Sequence, residues 1–179
     1  MTPRLSRFLR RLAGVMVAAV FAGGALLWWT ARWMPDRADF PIQGVTISAA
    51  NGAVQWGSVK AAGAGFAYLA ATDGARGRDP LFLANSAGAA VQGIQTGAIH
   101  RYRLCELAAA QAEHFIRTVP RSRSALPTAV WLELDADCAR RPSRALMLSE
   151  LATFLAQIEA HMGKRSIIAP SAAFDAEYG

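Results

Sequence analysis

The residues in this chain best equipped for chemistry lie in LPTAVWLELDADC, residues 126–138. On a β-strand successive side chains point to opposite faces, so Val130, Leu132 and Leu134 share one face while Trp131, Glu133 and Asp135 share the other. An ionised carboxylate on a largely apolar strand is costly unless it is paired, solvated or used. If used, it gives or takes a proton. Ser48, Asp73 and His100 are further candidates, each at the end of another short apolar run. A lone histidine is more often a hydrogen-bonded structural residue than a functional one, and His114 and His161, inside helical stretches, read as surface or packing residues.

Such groups act together only if the chain brings them together. The strand candidates are Gly44–Ser48, Phe66–Ala71, Thr96–His100, Ala129–Leu134 and Ser166–Ala169. Between them lie helical stretches at Val54–Ala62, Pro80–Val91, Glu106–Thr118 and Ser143–Met162. In the last of these Met147, Leu151, Phe154, Leu155, Ile158 and Met162 recur at helical spacing, and Gly163 is placed as a C-terminal stop. Asp79-Pro80 reads as an N-cap and first-turn proline. Strands alternating with helices predict an α/β fold with a parallel sheet or barrel, whose active groups collect at the carboxyl ends of the strands. Ser48, Ala71 to Asp73, His100 and Glu133 all fall at such ends, so one rim would hold them.

The chain has 179 residues, enough for one domain and an appendage. Its net charge of +6 is concentrated at the start: six arginines and two acids lie in residues 1–39. No basic stripe interleaved with aromatics follows, which argues against a nucleic-acid partner. Leu12–Trp29 is 18 residues without a charge. As a helix it would run about 27 Å, enough to span a bilayer core. Arg4, Arg7, Arg10 and Arg11 precede it, so residues 1–11 read as a cytoplasmic basic segment, 12–29 as a transmembrane anchor, 30–40 as a tether and 41–179 as a domain across the membrane. Trp28, Trp29 and Trp33 suit the far interface. A cleaved signal peptide is the alternative, but no good small-x-small site follows the apolar run. Cys105 and Cys138, exported on this topology, suit a disulfide better than a zinc site, for which no histidine cluster is at hand.

GVTISAANGAVQWGSVKAAGAGFAYLAATDG, residues 44–74, resembles the opening of glycoside hydrolase family 25, whose pattern reads G-I/V-D-V-S-H-x-Q-G-x-I-D-W-x-x-V and then F-x-Y-I-K-A-T-E-G. The likeness continues through DPLF (79–82), TGAIHRY (96–102, against G-A-Y-H-F), QAEHFI (111–116) and LPTAVWLE (126–133, against L-P-P-V-x-D-x-E). The family comprises muramidases (lysozymes) that cut peptidoglycan between N-acetylmuramic acid and N-acetylglucosamine. The resemblance implies a TIM-like (β/α) barrel, incomplete because the likeness ends near the fifth strand, and peptidoglycan or another glycan as partner. It implies a membrane-anchored bacterial type, single-pass in the inner membrane, with the C-terminal domain in the periplasm or outside the cell. No cofactor or metal is expected.

The resemblance places Glu133 on the family's general acid, with Ser48, Asp73, His100, Trp131 and Asp135 around the substrate. A tryptophan neighbour and an apolar strand are expected to favour the protonated acid by desolvation. The family's two aspartates are here Thr46 and Trp131; its histidine and glutamine after Ser48 are Ala49 and Asn51, its second-strand lysine is Ala70, and the tyrosine before His100 is Ile99. Glycoside cleavage ordinarily uses a second carboxylate. Asp135, about 7 Å from Glu133 if both stay on one strand, is a substitute by spacing, although it is expected in the loop beyond. Trp131 either stacks on a sugar face or fills the space of a lost acid network. Two function classes follow: an envelope-facing muramidase with weakened or lost activity, or a non-catalytic module that binds glycan or protein through the same rim. The replaced aspartates favour loss of hydrolysis.

Overall fold

The computed structural model describes residues 3–31, 33, 35–136, 138 and 141–179. Residues 1 and 2 of the expected basic segment and 32 and 34 of the expected tether lie outside them. The chain divides into two compact units, Met1–Pro41 and Ile42–Gly179.

The first unit is one helix, α1 (Pro3–Ala31), followed by a turn in which Asp36 accepts from the Ala38 and Phe40 amides. Within it Arg11–Thr30, with mean hydropathy 1.9, is long and apolar enough to cross a membrane.

The second unit runs β1 (Gly44–Ile47), a 3-10 turn (Ala49–Asn51), α2 (Trp56–Ala61), β2 (Phe66–Asp73), β3 (Gly77–Arg78), α3 (Phe82–Val91), β4 (Gln95–Tyr102), α4 (Ala108–Thr118), β5 (Ala129–Leu132), α5 (Arg144–Met162), β6 (Ile167–Pro170) and α6 (Ala172–Tyr178). Five strands pair in parallel in the order β1-β2-β4-β5-β6, and β3 folds back antiparallel on the end of β2. The α/β expectation holds, as a curled half-barrel rather than a closed barrel.

The sheet's helical side carries the core. Leu69, Tyr102, Val130 and Leu132 from the strands are buried with Phe115 from α4 and Phe154 and Ile158 from α5. Ala67, Ala71, Ala108 and Ala112, all fully buried, are small enough for helix and strand backbones to approach. The expected long helix forms as α5, capped by the Ser143 hydroxyl, which accepts from the Leu146 amide at 3.4 Å, and ended by Gly163 at φ 69°, a conformation that a side chain disfavours.

Three expectations need correction. Asp79 does not cap α3: the cap position is Leu81, and the Asp79 carboxylate accepts from the Leu81 amide at 2.8 Å and the Ala49 amide at 2.6 Å, tying the end of β1 to the start of α3. β2 runs two residues past its expected end and β4 gains one residue at its start and two at its end, with Thr72–Asp73 pairing His100–Arg101 beyond a bulge. β5 ends at Leu132, one residue short of Glu133.

Candidate functional site

Strand alternation sorts the candidates between two faces. On β4, Ala98, His100 and Tyr102 point to the helices, and Arg101 points to the concave side. On β5, Val130 and Leu132 point to the helices and Trp131 to the concave side. Parallel pairing then sets Asp73, Arg101, Trp131 and Ala169 in a row across β2, β4, β5 and β6. Glu133 and Asp135 continue that side past the end of β5.

The rim formed there is a cluster of charges. Arg103 binds Asp73 with two nitrogens, Nε to Oδ1 and Nη2 to Oδ2 at 2.9 Å, and reaches Asp135 Oδ1 with Nη1 at 2.7 Å. The other Asp135 oxygen accepts from the Leu104 amide at 3.2 Å. Asp135 is thereby buried, its side chain 3% exposed, with both oxygens satisfied. Paired carboxylates hold the Arg103 guanidinium firmly in its charged form, chiefly through the hydrogen bonds it donates to Asp73. Arg101 lies between three acids: Nε is 2.9 Å from Glu133 Oε2, Nη1 is 3.7 Å from Asp73 and Nη2 is 3.8 Å from Asp135. At 2.9 Å the first contact is an ion pair by distance, yet the N–H is turned away from the oxygen and Nε is buried without a hydrogen bond.

The carboxylate on the apolar strand is therefore both paired and solvated. Glu133 is 40% exposed and faces a guanidinium, so the desolvated setting expected from its tryptophan neighbour is not what the fold builds. Arg101 engages Glu133 through Oε2.

His100 sits elsewhere. It is fully buried on the helical side, stacked on Phe154 with ring centres 4.5 Å apart. The Thr72 hydroxyl donates to Nδ1 at 2.8 Å, and Nε2–H donates to Gln111 Oε1 at 3.3 Å, which fixes the neutral tautomer. Burial drives its pKa down to about 4, against the opposing pull of the Gln111 hydrogen bond and the Asp73 charge. As a group touching a ligand on the concave side His100 is corrected: the sheet stands between. It acts through Gln111, which also accepts from the Arg103 amide at 2.9 Å and donates to the Arg103 and Glu106 carbonyls. Ser48 lies in the turn after β1, where its amide donates to Asn51 Oδ1 at 2.9 Å.

Asp73, Glu133 and Asp135 are thus brought together with Trp131 beside them. Arg101, Arg103 and Gln111 were missed by sequence reasoning. The signal was present, since arginines two apart at one strand end face the same side as Glu133 and Asp135, two apart at the next. The Cys105–Cys138 disulfide, Cα atoms 5.6 Å apart, joins the loop after β4 to the loop after β5. Around it Asp73, Gly77, Arg103, Glu106 and Asp135 line a cavity of about 310 Å³. Among the described residues no group of three His, Cys, Asp or Glu is placed to hold a metal ion.

The sequence model of the family described as Glycosyl hydrolases family 25 matches residues 45–179. The chain belongs to glycoside hydrolase family 25. Lysozyme M1 of Streptomyces globisporus is 41% identical over 75 residues, 41% of this chain and 26% of that protein. A family 25 glycosyl hydrolase from Bacillus anthracis superposes with a TM-score of 0.72 at 29% identity, covering 76% of this chain and 64% of that one. A bacterial lysozyme from Streptomyces coelicolor gives 0.68 at 31% identity, over 74% and 64%. The chain therefore spans less than two thirds of each of these relatives, and the family's barrel appears in it as the half built from β1 to β6.

Proposed function

We propose that this protein is a membrane-anchored family 25 domain directed at peptidoglycan on the outer side of a bacterial inner membrane, in which hydrolysis is lost or much weakened while glycan contact through the concave rim is kept. The observation that carries the reading is the state of Glu133. It lies at the carboxyl end of β5 on the concave side, where the resemblance puts the family's general acid, and its carboxylate is engaged by Arg101. Two further groups support loss of hydrolysis. Thr46 and Trp131 occupy the positions matched to the family's aspartates, and neither can activate a nucleophile or stabilise positive charge on a sugar ring. Asp73 and Asp135 are both bound by Arg103, which makes each a poor replacement. Trp131, half-buried on the concave side, offers its ring to a sugar face. The apolar length of Arg11–Thr30 and the arginines before it support the anchor.

The test is release of reducing ends from purified sacculi, run with co-sedimentation on the same sacculi. Wild type and Glu133→Gln should both sediment with sacculi and release few or no reducing ends. Thr46→Asp with Trp131→Asp should recover measurable cleavage only as a pair, because groups acting as one unit are non-additive. Robust wild-type cleavage abolished by Glu133→Gln would overturn the loss of activity. A reporter fused after Gly179 that is active in the cytoplasm would overturn the topology.

A further inference from the structure

We propose that Arg101 is a built-in counter-ion that holds Glu133 Oε2 and is displaced when a ligand oxygen takes its place there. The geometry of the rim divides the work between its two arginines. Arg103 spends Nε and both terminal nitrogens on Asp73 and Asp135, and the Leu104 amide takes the remaining Asp135 oxygen. Glu133 is the one carboxylate of the three that Arg103 does not bind, and it falls to Arg101.

The quality of the two contacts differs. Arg103 makes aligned hydrogen bonds, whereas Arg101 is held by charge alone: Nε is misaligned toward Glu133, and the terminal nitrogens stand 3.7 and 3.8 Å from Asp73 and Asp135, beyond hydrogen-bond reach. At 38% exposure, with water on one side, such a contact is weak and salt-sensitive. A guanidinium placed this way stays over Glu133 when the cleft is empty and leaves readily when hydroxyl groups arrive to bond both partners. Arg101 is therefore a positioning residue acting through Glu133. Its consequence for hydrolysis rests on the reading of Glu133 as the cleft's acid; the contact itself does not. Arg101 from β4 faces Glu133, and Arg101 in turn faces Asp73 from β2 and Asp135 beyond β5.

The experiment measures how fast Glu133 is coupled to glycine ethyl ester by a water-soluble carbodiimide, in the detergent-solubilised 179-residue chain, by peptide mass spectrometry with exposed Asp175 as internal reference. Relative to Asp175, Glu133 should be labelled about 3-fold faster in Arg101→Gln than in wild type, the size expected for an ion pair of this exposure. Arg101→Lys should stay near wild type. Raising salt from about 0.05 M to about 0.5 M should speed Glu133 labelling in wild type and leave Arg101→Gln unchanged. Should Arg101→Gln fail to fold, the wild-type salt response decides alone. Equal labelling of Glu133 in wild type and Arg101→Gln, or no response of wild type to salt, would overturn the proposal. Failure to bind sacculi would count against the glycan reading and leave the labelling result standing.

Discussion

Along β4, Ala98, His100 and Tyr102 turn to the helices and are closed off from water, while Arg101, and Arg103 beyond the strand end, turn to the concave side and stay partly wet. Both sides handle polar groups, by different means. On the helical side a neutral imidazole is satisfied by Thr72 and Gln111 and stacked on Phe154, an arrangement that permits one tautomer and one orientation. On the concave side five ionised groups balance one another, with aligned bonds around Arg103 and a looser contact at Arg101. The comparison teaches that the first side holds the fold by packing, while the second is held together by paired charges.

The largest effect that would test this contrast is truncation under the helices. Phe154→Ala removes a fully buried ring packed on His100 and Tyr102 and should cost about 4 kcal/mol of unfolding free energy. Trp131→Ala, on the half-buried concave position, should cost less than half as much. Urea unfolding of the detergent-solubilised chain, followed by fluorescence, would show it; equal costs would break the contrast.

Reduction of the Cys105–Cys138 bond comes next. The cysteines are 33 positions apart, and releasing such a loop should cost about 3 to 4 kcal/mol on the chain-entropy model. Unfolding with and without dithiothreitol measures it. A loss well under that range would mean the rim loops stay ordered without the bridge even as the chain unfolds.

His100 should leave its mark on the pH dependence of stability. Its pKa falls from 6.5 to about 4 on folding, so between these values the unfolded chain binds more protons and stability decreases as the pH drops. The contribution is whole above pH 6.5, is lost progressively down to about 4, and amounts to about 3 kcal/mol. His100→Gln should flatten that part of the profile. A wild-type profile without the slope would show that the imidazole reaches water.

How much of this was legible in the sequence depended on whether the signal was local. The parallel α/β order, the α5 stripe with Gly163 as its stop, and two cysteines suited to a bond could be read because periodicity, a left-handed stop and a lone pair of cysteines are each visible in the sequence itself. α6 was not read, since SAAFDAEY supplies only about two helical turns, too short for a stripe, and forms because Ser171 caps it and Phe174 and Tyr178 find the core. At the site, Trp131 lies on β5, while Glu133 and Asp135 fall beyond the strand's end at Leu132. His100 was assigned to the rim because it stands near a strand end, yet position along a strand does not give the face: the bulge between Ala70 and Thr72 brings the Thr72 hydroxyl to the helical side, opposite His100. The partners of Glu133 come from another strand, and register is a tertiary property.

The smallest expected effect sharpens the contrast within the rim itself. Glu133→Gln keeps the side chain's shape and removes its charge. Arg101 would remain partly solvated and within ion-pair distance of Asp73 and Asp135, so stability should change by less than about 1 kcal/mol. Asp135→Asn should cost more, about 2 kcal/mol, because Asp135 is buried and answers both Arg103 and the Leu104 amide, leaving buried donors poorly matched when it becomes an amide. Thermal unfolding of the two variants beside wild type separates the cases. If Glu133→Gln proved as destabilising as Asp135→Asn, the carboxylate would be a structural member of the cluster, tied in as firmly as its neighbours. It would then be unfit both as an acid waiting for a sugar and as a partner that Arg101 can release.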